Sequence, residues 1–311
     1  MAIAALLWEN KVDFMRPSKQ TKNRPWTFID LFAGIGGFHL AFHRLGAKCV
    51  YVSEFEENAR KTYEANFKKI SPELFENGNF AGDITKVNPK SIPDFDILTG
   101  GFPCQPFSQA GFKKGFEDAR GTLFFDIANI IRVKKPAAFF IENVRHLLKH
   151  DGGKTFSTIK NIIEKELGYS FYYKIVKASD FGLPQYRPRL YMVGFRDKSI
   201  QFNFPEPIKL KKSMSDVFGG VCNKEIGYTL RLGGRGSKIT DRRNWDSYMV
   251  DGKVRRLMPV EGKIMQGFPA SFKFPVSDVQ AMKQLGNSVA VNAIQAVAAN
   301  IIQALENSNG K

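Results

Sequence analysis

The 311-residue chain is predicted to be an α/β protein, a doubly wound and mostly parallel sheet with helices on both faces, joined to a smaller, mostly β unit. Three observations point there. Short apolar runs of strand length alternate with stretches whose apolar residues recur at helical spacing, the pattern of repeated strand–helix units. That alternation breaks down from about residue 202. A final apolar stripe, Ile294, Val297, Ala298, Ile301 and Leu305, then needs a buried partner surface, and the sheet is the natural one.

The elements follow in order. Residues 1–26 read as an extension that ends in a basic, polar stretch. Residues 27–32 form an apolar strand run, followed by the glycine-rich turn Ala33-Gly34-Ile35-Gly36-Gly37. Phe38, Ala41, Phe42 and Leu45 share one helical face, and Gly46 closes that helix. Strands are predicted over 49–53, 96–99 and 138–141, then near 171–177 and 190–195. Helices are marked by Phe124, Ile127, Ala128 and Ile131, and by Ile159, Ile162, Ile163 and Leu167 before Gly168. Over 201–256 no helix is evident, and 12 Lys or Arg face 6 Asp or Glu, a local excess of +6 (12 − 6). The division implied is an extension (1–26), a large unit (27–200), a small unit (201–256) and a returning segment (257–311).

Net charge is +16 and the isoelectric point about 9.7, which favours a polyanionic partner, because each cation meeting a phosphate releases counterions. No basic amphipathic helix suggests a membrane surface instead. The three cysteines, Cys49, Cys104 and Cys222, cannot all pair and lack a CxxC spacing, which argues against a disulfide framework and against a metal site. A reducing interior suits them. No long apolar run predicts a transmembrane helix, and residues 1–7 lack the basic start of a signal peptide.

Two loops carry chemistry. A strand, the glycines Gly34, Gly36 and Gly37, and then a helix form either a nucleoside-cofactor site or a structural tight turn. Glu54, 20 residues past Gly34 and at the end of the next strand, is placed to bind ribose hydroxyls. Asp83 is a second carboxylate at a strand end, where a helix cap is the competing role. Gly101-Phe102-Pro103-Cys104-Gln105-Pro106 follows a strand directly, at the sheet edge where α/β ligand sites lie. A cysteine is commonly just a small buried residue, but one held between prolines on such a loop reads as a nucleophile.

Taken together, Phe32-Ala33-Gly34-Ile35-Gly36-Gly37, Phe102-Pro103-Cys104-Gln105 and Glu142-Asn143-Val144 resemble the bacterial cytosine-C5 DNA methyltransferases of type II restriction–modification systems. The resemblance continues in order through Gly82-Asp83-Ile84, Gly121-Thr122-Leu123, Gln185-Tyr186-Arg187-Pro188-Arg189, Gln266-Gly267-Phe268-Pro269 and Gly286-Asn287-Ser288-Val289. It implies a Rossmann-like, S-adenosylmethionine-dependent fold with a target-recognition domain, S-adenosylhomocysteine as product and no metal. Cys104 would attack C6 of an extruded cytosine, and Glu142 would bind N3 and the N4 amino group. One of Arg187 and Arg189 would contact the base near O2 while the other organises the loop or a phosphate.

On the cofactor side Phe32 would pack on adenine, and Ala33, Gly34, Gly36 and Gly37 would form the loop. Glu54 would hold the ribose and Asp83 the adenine amino group. Ile84, Leu123, Asn287, Ser288 and Val289 would complete the pocket. The stretch 107–120 reads as a lid over the flipped base. Gln105, Ser108, Thr229, Arg231, Arg235, Lys238, Arg242 and Arg243 are the candidate DNA contacts, phosphate being the commoner target for any one of them. The resemblance implies double-stranded DNA as partner, a restriction endonuclease in the same system without direct contact, and a cytoplasmic monomer. Two other readings compete: the tRNA-acting branch, whose Cys-Phe-Thr mark is missing at Cys222-Asn223-Lys224, and an inactive DNA-binding homologue, which would have lost Cys104, Glu142 or the glycine loop.

Overall fold

The computed structural model describes residues 24–103, 122–231, 233 and 235–309. The central sheet is built from β1 (Thr27–Leu31), β2 (Lys48–Ser53), β3 (Phe80–Ala81), β4 (Ile97–Gly100), β5 (Ala138–Val144), β6 (Tyr172–Lys177) and β7 (Pro188–Phe195). These seven strands run in the order β3-β2-β1-β4-β5-β7-β6. Every pairing from β3 to β5 is parallel, and β7 runs antiparallel to both of its neighbours. The mostly parallel sheet expected from the alternating pattern is therefore present. Strands buried on both faces explain why β1, β4 and β5 read as unbroken apolar runs.

The helices are α1 (Gly37–His43), α2 (Glu57–Phe67), α3 (Glu73–Glu76), α4 (Leu123–Lys134), α5 (Lys154–Asn161), α6 (Met214–Phe218), α7 (Pro259–Gln266), α8 (Asp278–Asn287) and α9 (Val291–Asn309). They bury two apolar layers, one on each face. Phe28, Phe38, Phe42, Val193 and the α9 stripe Ile294, Val297 and Ile301 lie in one layer. Ile29, Leu31, Phe124, Ile127, Ile131, Ile159 and Ile163 lie in the other. The returning C-terminal helix thus docks where its stripe demanded. The stretch Asp278–Ser308 is long and apolar enough to cross a bilayer by composition, but 67% of its apolar window is buried inside the protein, as in a core helix.

Three expectations are revised. The extension was placed over 1–26, yet Trp26 is buried in the core and Arg24 makes a two-pronged ion pair with Asp96 at 2.9 and 3.1 Å. The region 201–256 contains α6, where no helix was expected. A capping box starts it: Ser213 Oγ accepts from the Asp216 amide, and the Asp216 carboxylate accepts from the Ser213 amide. Among the described residues, the strands of that region, β8 (Ser247–Val250) and β9 (Lys253–Arg256), make one short hairpin. Its order comes instead from buried Trp245, Tyr248 and Val250, which join the apolar layer that also holds Phe28.

Candidate active site

The strand order reverses between β1 and β4, and a cavity of about 680 Å³ opens outside the carboxyl ends of the strands there. Each strand of this half of the sheet sends a loop into it. Phe32, Gly34 and Ile35 follow β1; Glu54, Phe55 and Glu56 follow β2; Gly82, Asp83 and Ile84 follow β3. Gly101, Phe102 and Pro103 follow β4, Glu142 and Asn143 lie near the end of β5, Arg187 sits just before β7 and Arg189 is its second residue. Leu123 and the α8 residues Gln280, Lys283, Gln284, Gly286 and Asn287 close the remaining walls.

The β1 turn is shaped by backbone demands. Phe32 has φ 55°, a left-handed conformation that costs a bulky residue of order 1–3 kcal/mol and is found where geometry must be held. Gly34 also has positive φ, and its amide donates to Glu54 Oε2 at 2.7 Å. Glu54 Oε1 accepts from the Glu56 amide at 2.7 Å, so this carboxylate joins the two loops. Burial pushes the Glu54 pKa up, while those amides pull it down. Gly36 has φ 84°, and a Cβ there would lie 2.3 Å from the Phe67 ring. A Cβ on Gly37 would lie 2.6 Å from the Val289 side chain.

At the other end of the cavity Glu142 is almost fully buried, and Arg189 Nε meets its Oε1 at 3.1 Å. Burial raises the Glu142 pKa, and the charges of Arg189 and Arg187 oppose that shift. A carboxyl shifted upward by burial holds its proton more readily than an exposed one. Asn143 Nδ2 donates to the Phe102 carbonyl at 2.9 Å, which fastens the loop that leads from β4 toward Cys104. Arg187 is committed elsewhere. Its Nη1 donates to the Leu230 carbonyl at 3.2 Å, and its Nη2 donates to the Gly286 and Ser288 carbonyls at 3.0 and 2.6 Å.

Sequence reasoning named ten residues that do line this cavity: Phe32, Gly34, Glu54, Asp83, Ile84, Leu123, Glu142, Arg187, Arg189 and Asn287. Ala33, Gly36, Gly37, Ser288 and Val289 lie outside its walls and act through packing and backbone contacts around it. Asp83 has both of its expected placements: it faces the cavity, and its Oδ1 caps the following turn by accepting from the Thr85 amide at 3.0 Å. Cys104, Gln105, Ser108 and the stretch 107–120 lie outside the described residues.

The recognition-side candidates separate. The Thr229 hydroxyl donates to the Tyr186 carbonyl. Arg235 donates to the Leu257 carbonyl at 3.1 Å and approaches the buried Asp246 at 3.8 Å. Arg243 grips Asp241 with Nε and Nη2, at 3.1 and 2.8 Å. Arg231, Lys238 and Arg242 are exposed. Not named as site residues were Ile35, Phe55 and the α8 residues Gln280, Lys283 and Gln284. Phe55, 78% exposed beside Glu54, was findable as an aromatic next to a ribose-type carboxylate. Gln280, Lys283 and Gln284 had no sequence signal, because they reach the cavity only through the return of the chain.

A mostly parallel α/β sheet thus brings a glycine turn, the Glu54 carboxylate and the Glu142–Arg189 pair to one cavity. The family model for C-5 cytosine-specific DNA methylase matches residues 26–231 and 227–303. The chain is 44% identical to the type II methyltransferase M.SsoII of Shigella sonnei, over 93% of this chain and 83% of that protein. It is also 44% identical to M.HhaI of Haemophilus parahaemolyticus, over 88% and 93%. Among solved structures, the S. pombe Dnmt2 methyltransferase aligns with a TM-score of 0.67 at 17% identity, over 91% of this chain and 99% of that one. The Entamoeba histolytica methyltransferase EhMeth aligns at 0.64 and 19%, over 93% and 100%. These two share the fold. The chain belongs to the C-5 cytosine-specific DNA methylase family and acts on DNA. The family uses S-adenosylmethionine.

Proposed function

We propose that the 680 Å³ cavity holds S-adenosylmethionine at its Gly34–Glu54–Asp83 end and an extruded cytosine at its Glu142–Arg189 end. The donor group fits the residues present: a positive-φ glycine allows close backbone approach, and a partly desolvated carboxylate stands where a ribose diol would lie. When bound, it supplies an electrophilic methyl group. Phe32 would pack on its adenine, and Asn287 would border its amino-acid part.

The chain's own groups carry the rest. The Cys104 thiolate adds to C6 of the base, moving the ring electrons toward C5. Glu142 holds a proton at N3 and accepts from the N4 amino group, which makes C6 more electrophilic. Arg189, paired with Glu142, would contact the base near O2, and Arg187 braces the return segment through the Gly286 and Ser288 carbonyls. After transfer, a base removes the C5 proton and the thiolate leaves C6. The target must leave the stack for this chemistry, because C5 and C6 are covered in a duplex. The observation that carries the reading is the Glu142–Arg189 pair in the same cavity as the glycine turn.

Of the recognition-side candidates, the exposed Arg231, Lys238 and Arg242 would meet DNA, with Thr229, Arg235 and Arg243 shaping the recognition loop. The protein would be the modification enzyme of a restriction–modification system, acting as a monomer in the bacterial cytoplasm beside a separate endonuclease. An oligonucleotide carrying 5-fluorocytosine at the target should be trapped covalently when the donor is present, and Cys104→Ser should abolish trapping. Equal label transfer to tRNA, or trapping that survives Cys104→Ser, would overturn the assignment.

A further inference from the structure

We propose that Arg60 is a positioning residue for the adenosine half of the donor pocket, acting as a clamp between the ends of β2 and β3. The inference rests on the proposed placement of S-adenosylmethionine against Glu54 and Asp83. Arg60 does not line the cavity. It sits in the first turns of α2, and its guanidinium donates to main-chain carbonyls on both sides of the pocket wall. Nη1 donates to the Glu54 carbonyl at 2.9 Å and to the Ala81 carbonyl at 2.5 Å. Nη2 donates to the Phe80 carbonyl at 3.2 Å. The guanidinium carbon also stands 4.1 Å from the centre of the Phe80 ring, a cation–π contact.

The wall needs such a clamp. β3 is only two residues long, and its pairing with β2 consists of Val52 opposite Phe80 and Ser53 opposite Ala81. Past that point the strands continue into Glu54 on one side and Gly82-Asp83 on the other. Further bonds hold the two segments: the Val52 amide to the Asn79 carbonyl at 2.9 Å before the paired residues, and after them the Glu54 amide to the Ala81 carbonyl at 3.1 Å and Ser53 Oγ to the Gly82 carbonyl at 2.8 Å. A ligand that touches both carboxylates at once requires a fixed spacing between them. A planar fork with fixed donor directions can satisfy three carbonyls from two strands, whereas a lysine ammonium is a point donor on a flexible stem. Arginine is therefore specified by geometry as well as by charge.

The test uses the full-length protein with Arg60→Gln and Arg60→Lys. Binding of S-adenosylhomocysteine is measured by calorimetry, and kcat and both KM values are measured with duplex DNA. The Gln variant should weaken the product's Kd and raise the KM for S-adenosylmethionine by about tenfold or more, with kcat at saturating donor and the KM for DNA within about twofold. Lys should fall between Gln and the wild type. If Gln does not fold, Lys retains the stem and the charge and carries the same comparison. Donor affinity within about twofold of wild type in the folded variants overturns the proposal. So does a parallel loss in kcat and both KM values, which would mark a general loosening. Failure of the wild-type protein itself to bind S-adenosylhomocysteine would bring down the cofactor placement. Wild-type binding that the variants match removes only the role of Arg60.

Discussion

Replacing Arg187 with Met should cost more stability than any single loss of a surface charge, because of what its guanidinium holds. The buried carbonyls of Leu230, Gly286 and Ser288 each lose a hydrogen bond from it, Ser288 keeping a second donor in Gln266 Nε2 at 3.1 Å. Bonds from a charged donor are worth roughly 1.5–3 kcal/mol each, so the upper bound is about 5–9 kcal/mol. Against this, the substitution removes a cation from a fully buried site. Burial lowers the pKa of that cation, so holding the charge there costs several kcal/mol. The net expectation is a loss of about 2–4 kcal/mol. With an m-value of about 3–4 kcal/mol/M in urea, the unfolding midpoint should fall by roughly 0.5–1 M. Arg187→Lys should recover less than half of that, since one ammonium cannot reach all three carbonyls. The KM values for DNA and for donor should rise together, because Leu230 belongs to the recognition side and Gly286 to the donor wall. A midpoint shift below about 0.2 M for the Met variant would refute the reasoning.

Other perturbations test other parts. The Asp30 carboxyl is buried, and its pKa is pushed up to about 8, so the folded state holds a proton that the unfolded state releases above 3.8. Its contribution to stability is full below that lower value and is lost as pH rises through about 8. Asp30→Asn should flatten this fall in a series of urea midpoints against pH, and an unchanged slope would count against a buried neutral acid. Gly286→Ala would bring a Cβ to 2.7 Å from the Arg231 carbonyl oxygen. About 1–3 kcal/mol of destabilisation is expected, with a raised KM for DNA. Glu142→Gln should lower kcat by about 10²–10⁴ while S-adenosylhomocysteine binding stays near the wild-type value. Equal turnover would remove Glu142 from the mechanism. Asp246→Ala frees the Gly236 amide and Arg235 from a buried partner, and should raise the KM for DNA more than the KM for donor.

How far the sequence reached depends on where each interaction is encoded. The sheet was legible because β1, β4 and β5 are buried on both faces and spell their role in consecutive apolar residues. β3 was not: two residues carry no period, and its place is set by Arg60 and by pairing with β2. α6 was hidden for a related reason. Its capping box uses Asp216 where Glu or Gln is the usual signal, and its five residues are too few for a helical stripe.

The site shows the same division. Glu54, Asp83 and Glu142 could be named because each ends a strand or follows one directly, so local order fixes their position. The roles of the two arginines could not be assigned from the alternation of a strand. Arg187 lies just before β7 and turns into the hub where Gln185 and Gln266 also sit. Gln185 Nε2 donates to the Met265 carbonyl at 2.9 Å, and Gln266 Nε2 donates to the Leu285 carbonyl at 2.6 Å. Three short motifs far apart in the chain thus read as separate signatures in sequence and as one buried hydrogen-bond junction in space. That junction joins Leu230, the start of β7 and the end of α8, so under the proposed function binding of DNA and binding of donor would share the same scaffold. A substitution at Gln185 or Gln266 should therefore shift both affinities in the same direction, whereas one at Arg60 or Asp246 should shift only one of them.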